Sequence, residues 1–155
     1  MWILDLCSGL GGASEAFVQS PGWEVVRIEN NVVLSGVEHT RTLNVLEWID
    51  WLPQLVAELG RPCFVWASPP CLEFSLGYAA PGPTARREGL EFEPCMKIVE
   101  ACIDIIQYCQ PTFWIIENVH GATQWFLPEL GKHQQKIGPF YLWGRFPRLL
   151  FPEGY

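Results

Sequence analysis

The chain has 155 residues, 49% of them hydrophobic, and a formal net charge of -7, which suits one compact domain and excludes a broad basic surface for nucleic acid. Its six cysteines, at 7, 63, 71, 95, 102 and 109, include no CxxC pair, and His39, His120 and His133 lack ligand-like spacing, so neither a disulfide framework nor a metal site is expected. The longest apolar stretches, such as FWII at 113–116, fall far short of a membrane span and no basic leader precedes WILDL, so a soluble, cytoplasmic protein is expected.

In chain order, WILDLC (2–7) reads as a buried strand, and GGASEAFVQS (11–20) as a helix that follows a glycine turn and stops at Pro21-Gly22. WEVVRIE (23–29) is a second strand and RTLNV (41–45) a weaker third. Asp50 is placed to cap a helix through LPQLVAEL, with Pro53 in its first turn and Gly60 at its end. CFVWAS (63–68) is a fourth strand, followed by a long Gly-, Pro- and Ala-rich loop over 69–92 of the kind that usually carries function. PCMKIVEACIDIIQYC (94–109) has helical spacing, which predicts Cys95, Cys102 and Cys109 in the core. FWIIENV (113–119) is a fifth strand, ATQWFLPEL a short helix, and KIGPFYLWG and PRLLF the final strand candidates. The eight tryptophans fall mostly in apolar segments and are assigned to packing. Alternating strands and helices predict an α/β fold, a mostly parallel doubly wound sheet with helices on both faces.

Ligands of such sheets bind beyond the carboxyl ends of the strands. After the first strand comes CSGLGG (7–12), where Gly9, Gly11 and Gly12 let the backbone approach a ligand and the next helix offers free N–H groups. Glu29, at the end of the second strand, stands where a carboxylate can accept hydrogen bonds from ribose hydroxyls. No Lys-Ser/Thr pair follows the glycines, which disfavours a nucleoside triphosphate. The fourth strand ends in Pro69-Pro70-Cys71, a rigid step that puts a thiol where the chain leaves the core, and the fifth in Glu117-Asn118-Val119. A thiol and a carboxylate then face one cleft, a nucleophile with an acid or hydrogen-bonding partner.

DLCSGLGGAS, ASPPCLEFS and IIENV, in this order and spacing, resemble the FxGxGG, PCQ and ENV motifs of the cytosine-5 DNA methyltransferases, over about residues 2 to 120. The resemblance implies a Rossmann-like methyltransferase fold, S-adenosylmethionine as cofactor and DNA as substrate. It further implies a flipped-out cytosine attacked at carbon 6 by Cys71 and held at its ring nitrogen and amine by Glu117. The implied cofactor set is Cys7, Gly9, Leu10, Gly11, Gly12, Glu29, Asn30, Asn44, Val45 and Pro69, and the implied nucleic-acid contacts are Ser75, Arg86, Arg87, Asn118 and Arg145.

The chain departs from the pattern at Cys7, where the family has an aromatic residue, at Leu72, where it has glutamine, and at Asn44, where an acidic residue reads the adenine amine. There is no QxRxR motif, for which Arg145 or Arg148 are the stand-ins, no separate target-recognition domain and no final helix returning beside the first motif. A short recognition context, or a partner protein that supplies the rest, is therefore expected. Methylation of tRNA and a non-catalytic cofactor-binding subunit remain as alternatives.

Overall fold

The computed structural model describes residues 1–150, and these form a seven-stranded sheet. The strands are β1 (Trp2–Leu6), β2 (Glu24–Glu29), β3 (Thr40–Thr42), β4 (Phe64–Ala67), β5 (Phe113–Val119), β6 (Gln135–Ile137) and β7 (Phe140–Arg145). Their order is β3-β2-β1-β4-β5-β7-β6. The pairs from β3 to β5 are parallel, whereas β7 runs antiparallel to β5 and β6 antiparallel to β7. Strand order reverses between β1 and β4, so the crevice for a ligand lies at the carboxyl ends of these two. The expected mostly parallel α/β sheet is present.

The helices are α1 (Glu15–Val18), α2 (Trp48–Leu59), α3 (Pro81–Arg87), α4 (Lys97–Cys109) and α5 (Thr123–Leu130). The main core lies on one face of the sheet, where Leu4, Leu6, Val26, Ile28, Val65, Ala67 and Ile116 pack with Leu52 and Leu55 of α2, Cys102 and Ile105 of α4, and Phe126 of α5. The alternate residues of the same strands point to the other face. There Ile115, Leu142 and Phe146 form a smaller cluster with Phe64 and Trp66. The short α1 supplies Phe17, edge-on to Trp23 and Phe64 at 4.7 and 5.6 Å. Beside it runs an apolar groove of about 460 Å³ lined by residues that include Trp23, Trp66 and Phe113.

Several boundaries differ from expectation for local reasons. The first helix spans only 15–18, because Gly9 and Gly11 hold positive φ (54° and 81°) and keep 8–14 in a turn. The third strand ends at Thr42, since the Asn44 side chain turns the chain by accepting from Leu46 N–H at 3.0 Å. Glu47, not Asp50, occupies the N-cap of α2, which places Pro53 inside the helix, where the Ile49 carbonyl loses its usual donor. The loop 69–92 contains α3, begun by Pro81 at its first position. α4 starts at Lys97, because Cys95 N–H is drawn out to the Glu73 carboxylate at 2.6 Å; Cys95 is exposed, while Cys102 and Cys109 are buried as expected. KIGPFYLWG splits at Gly138 into the β6–β7 hairpin. No strand forms over 147–150, and Phe151 lies outside the described residues.

Candidate functional site

A cavity of about 460 Å³ opens at the carboxyl ends of β1, β2 and β4. It gathers Cys7, Glu29, Asn30, Asn44 and Val45, all expected at a cofactor, together with Ile28, Leu43, Ser68, Pro70 and Ile98. Apolar walls beside a carboxylate and amides suit a nucleoside, with a flat base against the aliphatic side chains and hydroxyls at the carboxylate. Glu29 already holds the rim together: one oxygen accepts Gly9 N–H at 2.9 Å and the other Asn31 N–H at 2.8 Å. Each oxygen keeps a further lone pair for a ribose hydroxyl.

Cys7 stands where the motif has an aromatic residue, in the left-handed region at φ 54°, which costs about 1 to 2 kcal/mol in a non-glycine residue. Its side chain turns to the core rather than standing as a platform. The Cys102 thiol is held well above its usual range, first by its hydrogen bond with Cys7 and then by burial.

Other glycine-turn residues act differently from expectation. A Cβ on Gly11 would lie 2.3 Å from the Arg27 guanidinium carbon, so this glycine leaves the room that Arg27 occupies. Arg27, only 2% exposed, donates to Gly11 O, the Ser14 hydroxyl and the Glu15 carboxylate, each at 2.9 Å. Ser14 in turn donates to Asp5 at 2.6 Å. This buried chain under the turn was not anticipated; a charged residue inside the apolar run WEVVRIE was its sequence signal. Leu10 is largely exposed on the turn, Gly12 has open space around it, and α1 is too short to offer a helix terminus to an anion. Pro69 is buried away from the cavity, and Pro70 lines it instead.

Cys71 begins a 3-10 turn over Leu72–Phe74 and is exposed at the lip of the sheet. β4 and β5 are paired so that Ala67 faces Ile116, which brings Ser68 beside Glu117. Burial pushes the Glu117 carboxyl above its usual range, and a hydrogen bond with Ser68 partly opposes this. Asn118, expected at nucleic acid, is fully buried instead. Its amide donates to Pro69 O at 3.0 Å and its oxygen accepts Val119 N–H at 2.9 Å, so it ties the Pro-Pro-Cys step to the end of β5.

The expected nucleic-acid residues separate. Ser75 and Arg86 line a second cavity beyond Cys71. Arg87 is committed to its own loop, donating to Tyr78 O at 2.7 Å and lying 3.9 Å above the Tyr78 ring. Arg145 stands at the opposite end of the sheet, because β7 is antiparallel and pairs it with Trp114 at the start of β5. There it donates to the carbonyls of Thr112 and Pro111 and so cannot support a base beside Glu117. Arg148 follows beyond this end and is exposed. Among the described residues no cluster of His, Cys, Asp and Glu could hold a metal, and no helix is long and apolar enough to cross a membrane.

No family model matches the chain. It is 32% identical over 124 residues to the "Probable DNA (cytosine-5)-methyltransferase" of Frog virus 3 (isolate Goorha), a match covering 76% of this chain and 53% of that protein. The chain thus spans about half the length of the curated relative it matches. An E. coli structure described as a "putative DNA modification methyltransferase encoded within prophage" superposes with a TM-score of 0.63 at 15% identity, over 94% of this chain and 46% of that one. At that identity the likeness is one of fold.

Proposed function

The chain belongs to the cytosine-5 DNA methyltransferase family, and from this premise we propose that it transfers a methyl group from S-adenosylmethionine to carbon 5 of cytosine in DNA through a covalent Cys71 adduct. The observation that carries the reading is the join between the ends of β4 and β5. Asn118, the residue next to the half-buried Glu117, holds Pro69 O, two residues before Cys71, and the cavity that suits a nucleoside opens on the same edge, which supports a thiol and a carboxyl acting together there.

S-adenosylmethionine, when bound, supplies the electrophilic methyl group. Ile28, Leu43, Val45 and Ile98 would enclose its adenine, Glu29 would accept from its ribose, and Pro70 and Ser68 would bound the cavity toward the substrate. Cys71, as thiolate, adds to carbon 6 of a cytosine turned out of the stack. The electron pair of the 5,6 double bond moves toward the ring nitrogen, where Glu117 holds or delivers the proton that neutralises it. A carboxyl whose proton affinity is raised by burial suits that task. Carbon 5 then takes the methyl group, its proton leaves to a base, and the C–S bond breaks to restore the 5,6 double bond and the thiolate. The described chain offers few cations for phosphate, so a context of about one to three bases is the expected specificity.

Trapping on DNA that carries 5-fluorocytosine tests the step, because fluorine at carbon 5 cannot leave as a proton. With cofactor present, the parent and the exposed-thiol control Cys95→Ser should form a covalent complex, and Cys71→Ser should not. An adduct that survives Cys71→Ser would overturn the assignment. Parallel methyl transfer to duplex DNA, single-stranded DNA and tRNA fixes the substrate, and transfer confined to tRNA would replace the DNA reading.

A further inference from the structure

A second cavity, of about 240 Å³, lies just past Cys71 and is built from both segments that carry the site. Phe74 and Ser75 line it from the turn that Cys71 begins, and Gln124 and Trp125 line it from the chain that follows Glu117. α3 adds Arg86, and the stretch before α4 adds Phe92. The two site segments meet backbone to backbone at Gly121, where a Cβ would lie 1.9 Å from Phe74 O. On the other wall, a Cβ on Gly82 would lie 3.2 Å from the Phe92 ring. The cavity is therefore held at a set place relative to the thiol.

Its lining combines aromatic, amide and cationic side chains with the carboxylate of Glu73, which accepts Cys95 N–H at 2.6 Å. Trp125 and Phe92 give aromatic surface on which any base can stack. Gln124 is exposed at the edge and carries both a donor and an acceptor for a base edge. Arg86 is exposed and, among the described residues, its side chain makes neither a hydrogen bond nor an ion pair, whereas its neighbour Arg87 is locked onto Tyr78. A cation without a partner at the rim suits a phosphate.

We infer that this cavity is a subsite for an unstacked nucleotide adjoining the target cytosine, its base against Trp125 and its phosphate at Arg86. The inference rests on the proposed function and extends it. A base can enter such a cavity only out of the helical stack, so the subsite favours single-stranded or unpaired substrate over intact duplex. It also places the reading of a neighbouring base within the same unit as the thiol, on a chain whose net charge of -7 leaves little general attraction for phosphate.

The test is fluorescence anisotropy with a labelled single-stranded pentanucleotide that has cytosine at its centre, and with the same strand made abasic at either neighbour. One abasic neighbour should weaken binding by about tenfold, the scale of one stacked base. Trp125→Ala should weaken the intact strand by the same factor and abolish the penalty of the abasic position, while Trp125→Phe retains most of both. Gln124→Leu, on an exposed side chain that leaves folding untouched, should change which neighbouring base is preferred. Equal binding of intact and abasic strands would overturn the subsite, as would a Trp125→Ala loss of the same size on both. Trapping with 5-fluorocytosine keeps the two claims apart. Trapping without any neighbour effect sinks the subsite alone; a neighbour effect on binding without trapping supports the subsite and counts against the Cys71 chemistry.

Discussion

Asp5 offers a quantitative test of the buried chain beneath the glycine turn. It is fully buried on β1, and desolvation is the main cause that raises its pKa from 3.8 to about 6; the Ser14 hydroxyl and Arg27 oppose the rise, and Glu29 adds to it. One of its oxygens has no hydrogen-bond partner, which fits a carboxyl poorly solvated as an anion. The unfolded chain sheds this proton near pH 3.8, whereas the folded chain keeps it to about pH 6. Between these values the folded state binds more protons, so the group's contribution to stability is complete below pH 4, declines as pH rises, and is gone above about 6. The interval corresponds to about 3 kcal/mol. Asp5→Asn mimics the neutral form at every pH. Urea unfolding of parent and variant from pH 4 to 8 isolates the group by difference, since the remaining carboxylates titrate in both. The variant should match the parent near pH 4 and exceed its stability above pH 7 by an amount approaching that figure. A difference that stays flat, or that favours the parent above pH 7, would refute the reasoning.

Further expectations follow from single contacts. Asn118→Ala leaves Pro69 O without its donor and should lower methyl transfer at least tenfold while cofactor affinity, read by calorimetry, stays near the parent's, because a lost buried hydrogen bond costs about 1 to 3 kcal/mol at the Pro-Pro-Cys step and not at the cofactor cavity. Glu29→Ala removes the acceptor for Gly9 and Asn31 N–H and should weaken cofactor binding by about tenfold or more in the same assay. Gly121→Ala sets a Cβ 1.9 Å from Phe74 O and should both lower thermal stability and slow trapping, since the displaced turn carries Cys71. Arg145→Ala should leave DNA binding and its salt slope unchanged and appear only in stability, because its partners are carbonyls at the far end of the sheet.

The strands and the site's place were legible because they rest on short-range signals. β1, β4 and β5 each carry a short apolar run, a pattern read directly from the letters, and the rule for the carboxyl ends of parallel strands then pointed to Cys7, Glu29, Cys71 and Glu117 as candidates without knowledge of the strand order. Ser68 and Pro70 lay at the same strand end and could have been named by the same rule. α3 was missed because it opens on Pro, Gly, Pro and Thr, which have weak helix propensity, and buries no side chain fully, so no apolar period marks it; Pro81 at its first position and the Arg87 bond to Tyr78 O flank the turn. The end of β7 was misplaced functionally because nothing in a strand's own letters says whether it runs with or against its neighbour.

The residues whose roles shifted most share one physical trait: each uses a side-chain polar group on a backbone partner. Asn118 donates to Pro69 O, Asn44 accepts Leu46 N–H, Arg87 donates to Tyr78 O, and Arg145 to Thr112 O. A backbone group has no letter in the sequence, so a polar residue near a motif reads as free for a ligand when it already has its partner. The loops at the carboxyl ends of parallel strands are where this bias is strongest, because there the chain leaves the ladder and its carbonyls and N–H groups must find side chains instead. Sequence reading therefore overcounts the ligand contacts there. Arg86, one of the residues first expected, and Gln124 stand apart from that set: they line a cavity and, among the described residues, their side chains make no such backbone bond, which is why the binding experiment turns on that cavity, through Trp125 and Gln124, rather than on Asn118 or Arg145.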